Sequence, residues 1–245
     1  MTKRRIAALT AALVVVTALV AVGAAGAWLL YTEAGLAWIV ARGSGAAGEG
    51  LTLEGVAGTL AGGTRAGHIR YAGDDIEVRV NDAYLRLSPF SILVLTPRLA
   101  ELRAAELIVT TKPGEPRGRP PDTLELPMNV QLPDVRVGRL VIDMGQGPMD
   151  ITDVRLRYSG GRSRHTIHEL ALGAFDHALE LKGTIDAQAP FALDAELEAT
   201  RLVEPQARLK ASFGGNLSEM AVKAGASSGD ASVEATAQVE PYAAF

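Results

Sequence analysis

Four histidines, His68, His165, His168 and His177, are the side chains that could hold a metal or move a proton, and no cysteine is present to join them. His165 and His168 stand three apart in a segment that alternates like a strand. That spacing puts their rings on opposite faces, where on a helix it would bring them together. They read as surface or strand-edge residues, and no metal site is expected. The glycines of Gly55-Val-Ala-Gly58-Thr-Leu-Ala-Gly62-Gly63-Thr64 have the density of a phosphate loop. No Gly-Lys-Ser/Thr follows and no apolar helix opens after them, so they read as turn formers. Gly43-Ser44-Gly45 lacks the spacing of a nucleophile elbow and reads as connector. Asp74-Asp75 falls in a turn and Glu196 and Glu198 fall on the polar face of a strand, where solvated charge is the default. The sequence therefore offers no catalytic constellation and calls for no cofactor.

The elements that carry these residues say more than the residues do. From Leu51 onward apolar side chains recur at every second position in short runs bounded by Gly, Pro or Asp/Asn, the signature of strands. Phe191, Leu193, Ala195, Leu197 and Ala199 alternate with Ala192, Asp194, Glu196, Glu198 and Thr200. Ile76, Val78 and Val80 alternate with Glu77, Arg79 and Asn81, and Leu209 and Phe213 sit in a further run, Ala207 to Phe213. Period-two alternation gives each strand a wet face and a face that needs apolar cover. With aromatics at 5% and many inward positions occupied by Ala, Val or Leu, composition is compatible with an open sheet whose apolar face stays available. It is equally compatible with a two-sheet sandwich. In the open case Phe191, Leu193, Leu197, Leu209, Phe213, Ile76, Val78 and Val80 are the candidates to line an apolar groove.

The amino terminus sets the compartment. Lys3, Arg4 and Arg5 precede Ile6 to Tyr31, a 26-residue run without a formal charge. As a helix it would be about 39 Å long, more than the ~30 Å of a bilayer's hydrocarbon core. The basic cluster argues for a cytoplasmic start, and Trp28, Tyr31 and Trp38 stand where interfacial aromatics anchor an outer end. Ala25-Gly26-Ala27 leaves a cleaved signal peptide as the competing reading, but the apolar run continues beyond it through Trp28-Leu29-Leu30. Either way the remainder is exported. Residues 1–5 are then cytoplasmic, 6–31 a transmembrane signal-anchor and 32–112 a first periplasmic β unit. Within Glu33 to Gly50, Ala34 to Val40 has the composition of a short helix. Residues 113–127 form a proline-rich, unpaired loop, because the stretch to Asp122 alone holds four of the twelve prolines and almost no apolar side chain. Residues 128–245 continue as β, with a weaker boundary at Glu204-Pro205, and the end at Phe245 reads as that of a fragment. A net charge of −4 and a pI near 5.6 argue against nucleic acid as a partner.

The order of these features resembles the amino-terminal part of TamB-like proteins, the translocation and assembly module subunits within the AsmA-like group of bridge-like envelope proteins. The resemblance is carried by Gly50-Leu-Thr-Leu-Glu-Gly-Val-Ala-Gly-Thr-Leu60, His68-Ile-Arg-Tyr71, Leu87-Ser-Pro-Phe-Ser-Ile-Leu-Val-Leu95 and Leu102 to Thr111. It is also carried by Leu132-Pro-Asp-Val-Arg-Val-Gly-Arg-Leu-Val-Ile-Asp143, which resembles the family's strand that states its apolar face twice. It implies a mainly β fold, a transmembrane helix followed by an elongated open β-sheet groove (a β-taco of AsmA-like repeats). It further implies an inner-membrane protein with its bulk in the periplasm. Its work would be moving phospholipid between the two membranes, or scaffolding outer-membrane protein and autotransporter assembly with a barrel partner of the TamA type.

Overall fold

The computed structural model describes residues 24–46, 50–73, 76–88, 99–111, 123–145 and 147–240. They form two short helices, α1 (Ala24–Tyr31) and α2 (Glu33–Ala46), followed by strands. The strands are β1 (Leu51–Glu54), β2 (Ala57–Thr59), β3 (Gly63–Ala72), β4 (Ile76–Leu87), β5 (Leu99–Thr111), β6 (Val130–Asp143), β7 (Pro148–Gly160), β8 (Arg164–Ala174), β9 (His177–Asp186), β10 (Ala192–Arg201), β11 (Arg208–Asn216), β12 (Met220–Ser228) and β13 (Ala231–Val239). All belong to one 13-stranded open sheet in almost strict chain order, with β1 and β2 both pairing with β3. The chain is mainly β, as alternation predicts. Among the described residues the two-sheet sandwich does not occur, because no second layer faces the first. The expected boundary at Glu204-Pro205 is a turn: Arg201 N–H bonds to the Ala207 carbonyl at 2.8 Å and β10 passes directly to β11.

Every neighbouring pair is antiparallel except β5 and β6, which run parallel. A parallel pair needs a crossover, and the proline-rich segment supplies its chain. Residues 112–129 can reach about 60 Å when extended, against roughly 43 Å for the length of β5. The described end of that segment departs from the expected unpaired loop. Leu124 N–H bonds to the Ala187 carbonyl at 2.9 Å and Leu126 N–H to the Gly161 carbonyl at 3.1 Å. Leu124 and Leu126 are half-buried while Thr123, Glu125 and Pro127 are exposed, so the strap itself alternates as it crosses the ends of β7 to β10. Residues 112–122 lie outside the described residues, as do Asp74-Asp75, Pro89 to Pro97 and Lys3, Arg4 and Arg5.

The expected helix over 6–31 is described only from Ala24. Among the described residues no single helix is long and apolar enough to cross a membrane. α1 and α2 pass that test only together, and they are bent by 86°. Thr32 makes the bend. Its hydroxyl donates to the Trp28 carbonyl at 2.6 Å, closing α1, and accepts the Gly35 N–H at 3.0 Å as the cap of α2. Gly35 is required there, because a Cβ would stand 2.4 Å from the Trp28 carbonyl oxygen. Gly43-Ser44-Gly45, read as connector, continues α2 as helix. α2 packs on β1 and β2, covering that edge of the sheet.

Candidate functional site

Register decides which residues share a face. Leu85 pairs with Leu102, Leu102 with Val135, Val135 with Leu156, Leu156 with Leu170 and Leu170 with Leu181. The row continues from Leu181 to Leu197, Ala211, Ala224 and Ala235. It crosses ten strands, β4 to β13, without a polar side chain, and at ~4.8 Å per strand it is roughly 43 Å long. Beside it run Val78–Val109–Ile142–Met149 and Ile69–Val80–Leu107–Leu140–Ile151. The elements that pack together are sheet neighbours, and α2 reaches only β1 and β2. Hence no second layer of described strands or helices lies on this face; the strap meets it only where Leu124 reaches His165, and Val137, Ile151 and Val154 are buried by their own neighbours, among them Leu107, Leu140, Leu170 and Leu172.

A line of skipped positions keeps the face apolar. In β3 to β7 the pairing skips Gly67, Asp82, Ala105, Gly138 and Asp153, which stand at one level across five adjacent strands. Alternation changes parity there. Val137 faces the apolar side and so does Leu140, with Gly138 and Arg139 both exposed between them. Val78 and Val80 precede the break in β4 and Ala83 and Leu85 follow it; Leu102 and Ala104 precede it in β5 and Leu107 and Val109 follow. Asp82 and Asp153 take φ of 51° and 53°, a left-handed conformation that short polar side chains tolerate. The register is the same on both sides of that level, so the five aligned positions change which face each strand presents without shifting the pairing.

Each predicted groove residue can now be placed. Val78, Val80, Leu193, Leu197 and Phe213 are half-buried on the apolar face, with Phe213 between Ala195 and Val222. Leu209, between Ala199 and Ala226, and Ile76, at the start of β4, lie on the same face and are each 37% exposed. Phe191 is the exception. It precedes β10 in a turn, with φ of 58° and its N–H bonded to the Gln188 carbonyl, and only 4% of it is exposed. It fills a closed corner and lines no open path. Trp28 and Tyr31 are exposed on α1.

That corner holds the polar group that sequence reasoning missed. His165 is buried on the apolar face, opposite Gly160 and Ile185. Its Nε2 lies 2.8 Å from the Leu124 carbonyl oxygen and its Nδ1 2.5 Å from the Tyr158 hydroxyl. A carbonyl only accepts, so Nε2–H donates to it, and in the neutral ring Nδ1 then receives the tyrosine O–H. Burial raises the Tyr158 pKa, keeping that hydroxyl a donor. The bonds tie the strap to the sheet. His168 points the other way, bonding the Ser159 hydroxyl at 2.9 Å, so the two rings do sit on opposite faces. His68 is exposed against Asn81, and His177 caps its own turn at the Phe175 carbonyl.

The opposite face is polar and internally paired. His68 Nδ1 to Asn81 Oδ1, Asn81 Nδ2 to Glu106, Glu106 to Arg139 and Arg139 to both oxygens of Asp150 form one hydrogen-bonded chain across β3 to β7. Glu77 accepts from Arg79 and Arg70, each at 2.8 Å, and those bonds hold its carboxyl below the usual range; Arg139 does the same to Asp150. Glu198 is flanked by Arg208 and Lys210. Exposed pairs of this kind are screened by water and contribute little, so they orient side chains more than they hold the sheet. Comparison with family models, curated proteins and solved structures found no match for this chain.

Proposed function

We propose that this chain is anchored in the inner membrane by its N-terminal apolar run, has its bulk in the periplasm, and carries phospholipid along the apolar face of its sheet toward the outer membrane. The observation that carries the reading is the registered row from Leu85 to Ala235, ten strands long and uncovered by any described element. An acyl chain laid on it exchanges water for hydrocarbon at ~0.8 kcal/mol per CH₂ buried. The headgroup needs no dedicated pocket, because the groove is open along its side. Lys3, Arg4 and Arg5 ahead of the uncharged run support the anchor and its orientation. The resemblance to TamB-like, AsmA-like bridge proteins leads to the same function, and the reading assigns no reaction and no cofactor.

Photo-crosslinking side chains at Val80, Leu193, Leu197 and Phe213 should capture phospholipid in cells, while the same groups at Asp194, Glu196 and Glu198 should not. Equal capture on both faces, or none on either, would refute the reading.

A further inference from the structure

α2 is apolar on two opposite sides, and only one of them is covered. Gly35 and Leu36 are buried and Ile39 and Val40 half-buried on the side that meets β1 and β2. On the opposite side Ala34, Ala37, Trp38 and Ala41, at i, i+3, i+4 and i+7, are all exposed, Trp38 by 47%. That spacing is a continuous helical stripe, and it is where a surface helix would carry charge. Two exposed charges, Glu33 and Arg42, stand at the two margins of the stripe and none within it, and the Arg42 guanidinium lies 5.0 Å over the Trp38 ring. Trp28 and Tyr31 on α1 are exposed as well.

Three observations say what covers the stripe. α2 begins where the uncharged run Ile6–Tyr31 ends, so it leaves the most apolar segment of the chain directly. The 86° bend sets it perpendicular to α1, and the bend is built in, since Thr32 bonds both helices and Gly35 admits no side chain. An indole with a cation at its face suits the boundary between headgroups and acyl chains, where one end of a side chain is greasy and the other wet. We propose that the Ala34–Ala37–Trp38–Ala41 stripe lies in the surface of a phospholipid membrane, parallel to its plane. The inference rests on the anchored reading above and deepens it. α2 is the seat that fixes β1 and β2, and so the first rows of the apolar face, at headgroup level. The Leu30 carbonyl, bonded to Ala61 N–H at 3.0 Å, ties the same seat to the turn before β3.

The test uses the full chain in phospholipid nanodiscs with Trp28→Phe, which leaves Trp38 as the single tryptophan of the two. The expected result is blue-shifted Trp38 emission, quenched several-fold more by phospholipids brominated near the carbonyl end of the chain than near the methyl end, and little quenched by iodide. Ala34→Asp with Ala37→Asp should abolish the lipid quenching while the strand signal in circular dichroism is unchanged. Iodide quenching without bromolipid quenching, in a chain that still resists carbonate extraction, would overturn the seat and leave the anchor standing. Protection from both quenchers would mean that a protein, such as a second copy, covers the stripe, and would also overturn it. Release of the whole chain by carbonate would remove the anchor and the seat together.

Discussion

A Cβ on Gly138 would stand 2.9 Å from the Ala105 carbonyl oxygen of the parallel neighbour, which makes this glycine a packing requirement at the level where parity changes. Gly138→Val should therefore cost about 1–3 kcal/mol in urea unfolding, the ordinary price of overpacking, whereas Gly225→Val in β12, with open space around it and no left-handed backbone to strain, should cost far less. Strict alternation assigns Gly138 to the polar face after Val137 and stops there. What a period-two reading misses is that Arg139 is polar-facing too, because parity changes at an unpaired level that single strands do not reveal. The carboxylates of the polar face lead to a pH prediction. Glu77 and Asp150 have depressed pKa values in the folded chain, so the stability they contribute is present above the ordinary carboxylate range and is lost as pH falls through their lowered values. Melting temperature should fall on that acid limb, and the fall should be shallower in Arg139→Gln, which removes the partner that depresses Asp150. An acid limb unchanged by Arg139→Gln would contradict the assignment.

Strands are legible in the sequence because alternation of Val, Leu and Ala with Asp, Glu and Arg is a local pattern. The runs read from it beyond Leu51 among the described residues lie in strands except at ends such as Phe191 and Ala207, whereas Leu124 and Leu126 alternate in a strap that forms none. Partners are less legible. Nothing local says that β5 meets β6 in parallel, since the decision lies in the length of the chain between Thr111 and Val130. The described end of the strap departs from an unpaired loop for a related reason. Prolines forbid a ladder where they stand, but Leu124 and Leu126 keep their N–H groups, and those find the Ala187 and Gly161 carbonyls. His165 looked like a surface residue because its partners, Tyr158 and the Leu124 carbonyl, arrive from another strand and from the strap. His165→Leu should leave the Leu124 carbonyl and the Tyr158 hydroxyl without their partner, costing about 1–3 kcal/mol. Amide exchange of Leu124 and Leu126 should accelerate along with that loss, while β11 to β13 keep their protection. Unchanged exchange at Leu124 would mean that the histidine does not hold the strap.

Across the whole molecule, the apolar row is lined by Leu or Val from β4 to β10 and by Ala211, Ala224 and Ala235 in β11 to β13, so headroom above the sheet grows toward the carboxyl-terminal strands. A sandwich would answer small residues on one sheet with large ones on another, at native packing density. Here no described element supplies them, and two substitutions separate the physics of an open face from that of a core. Leu193→Asp with Leu197→Asp would place two carboxylates in a closed core at a cost of several kcal/mol each, enough to unfold an ordinary domain. On a half-exposed face the carboxylates stay hydrated, so the variant should fold, keep its strand signal, and lose lipid capture at Leu181 and Phe213. Ala224→Trp tests the headroom from the other side. Its indole would project over the row and should be tolerated in unfolding, because no layer lies above to be displaced. It should also block passage: crosslinking to phospholipid should persist at Val80 and Leu197, on the near side of β12, and fall sharply at Ala235 on the far side. Capture at Ala235 equal to that of the unsubstituted chain would mean that lipid does not travel along the row, and unfolding of Ala224→Trp would mean that something packs on it.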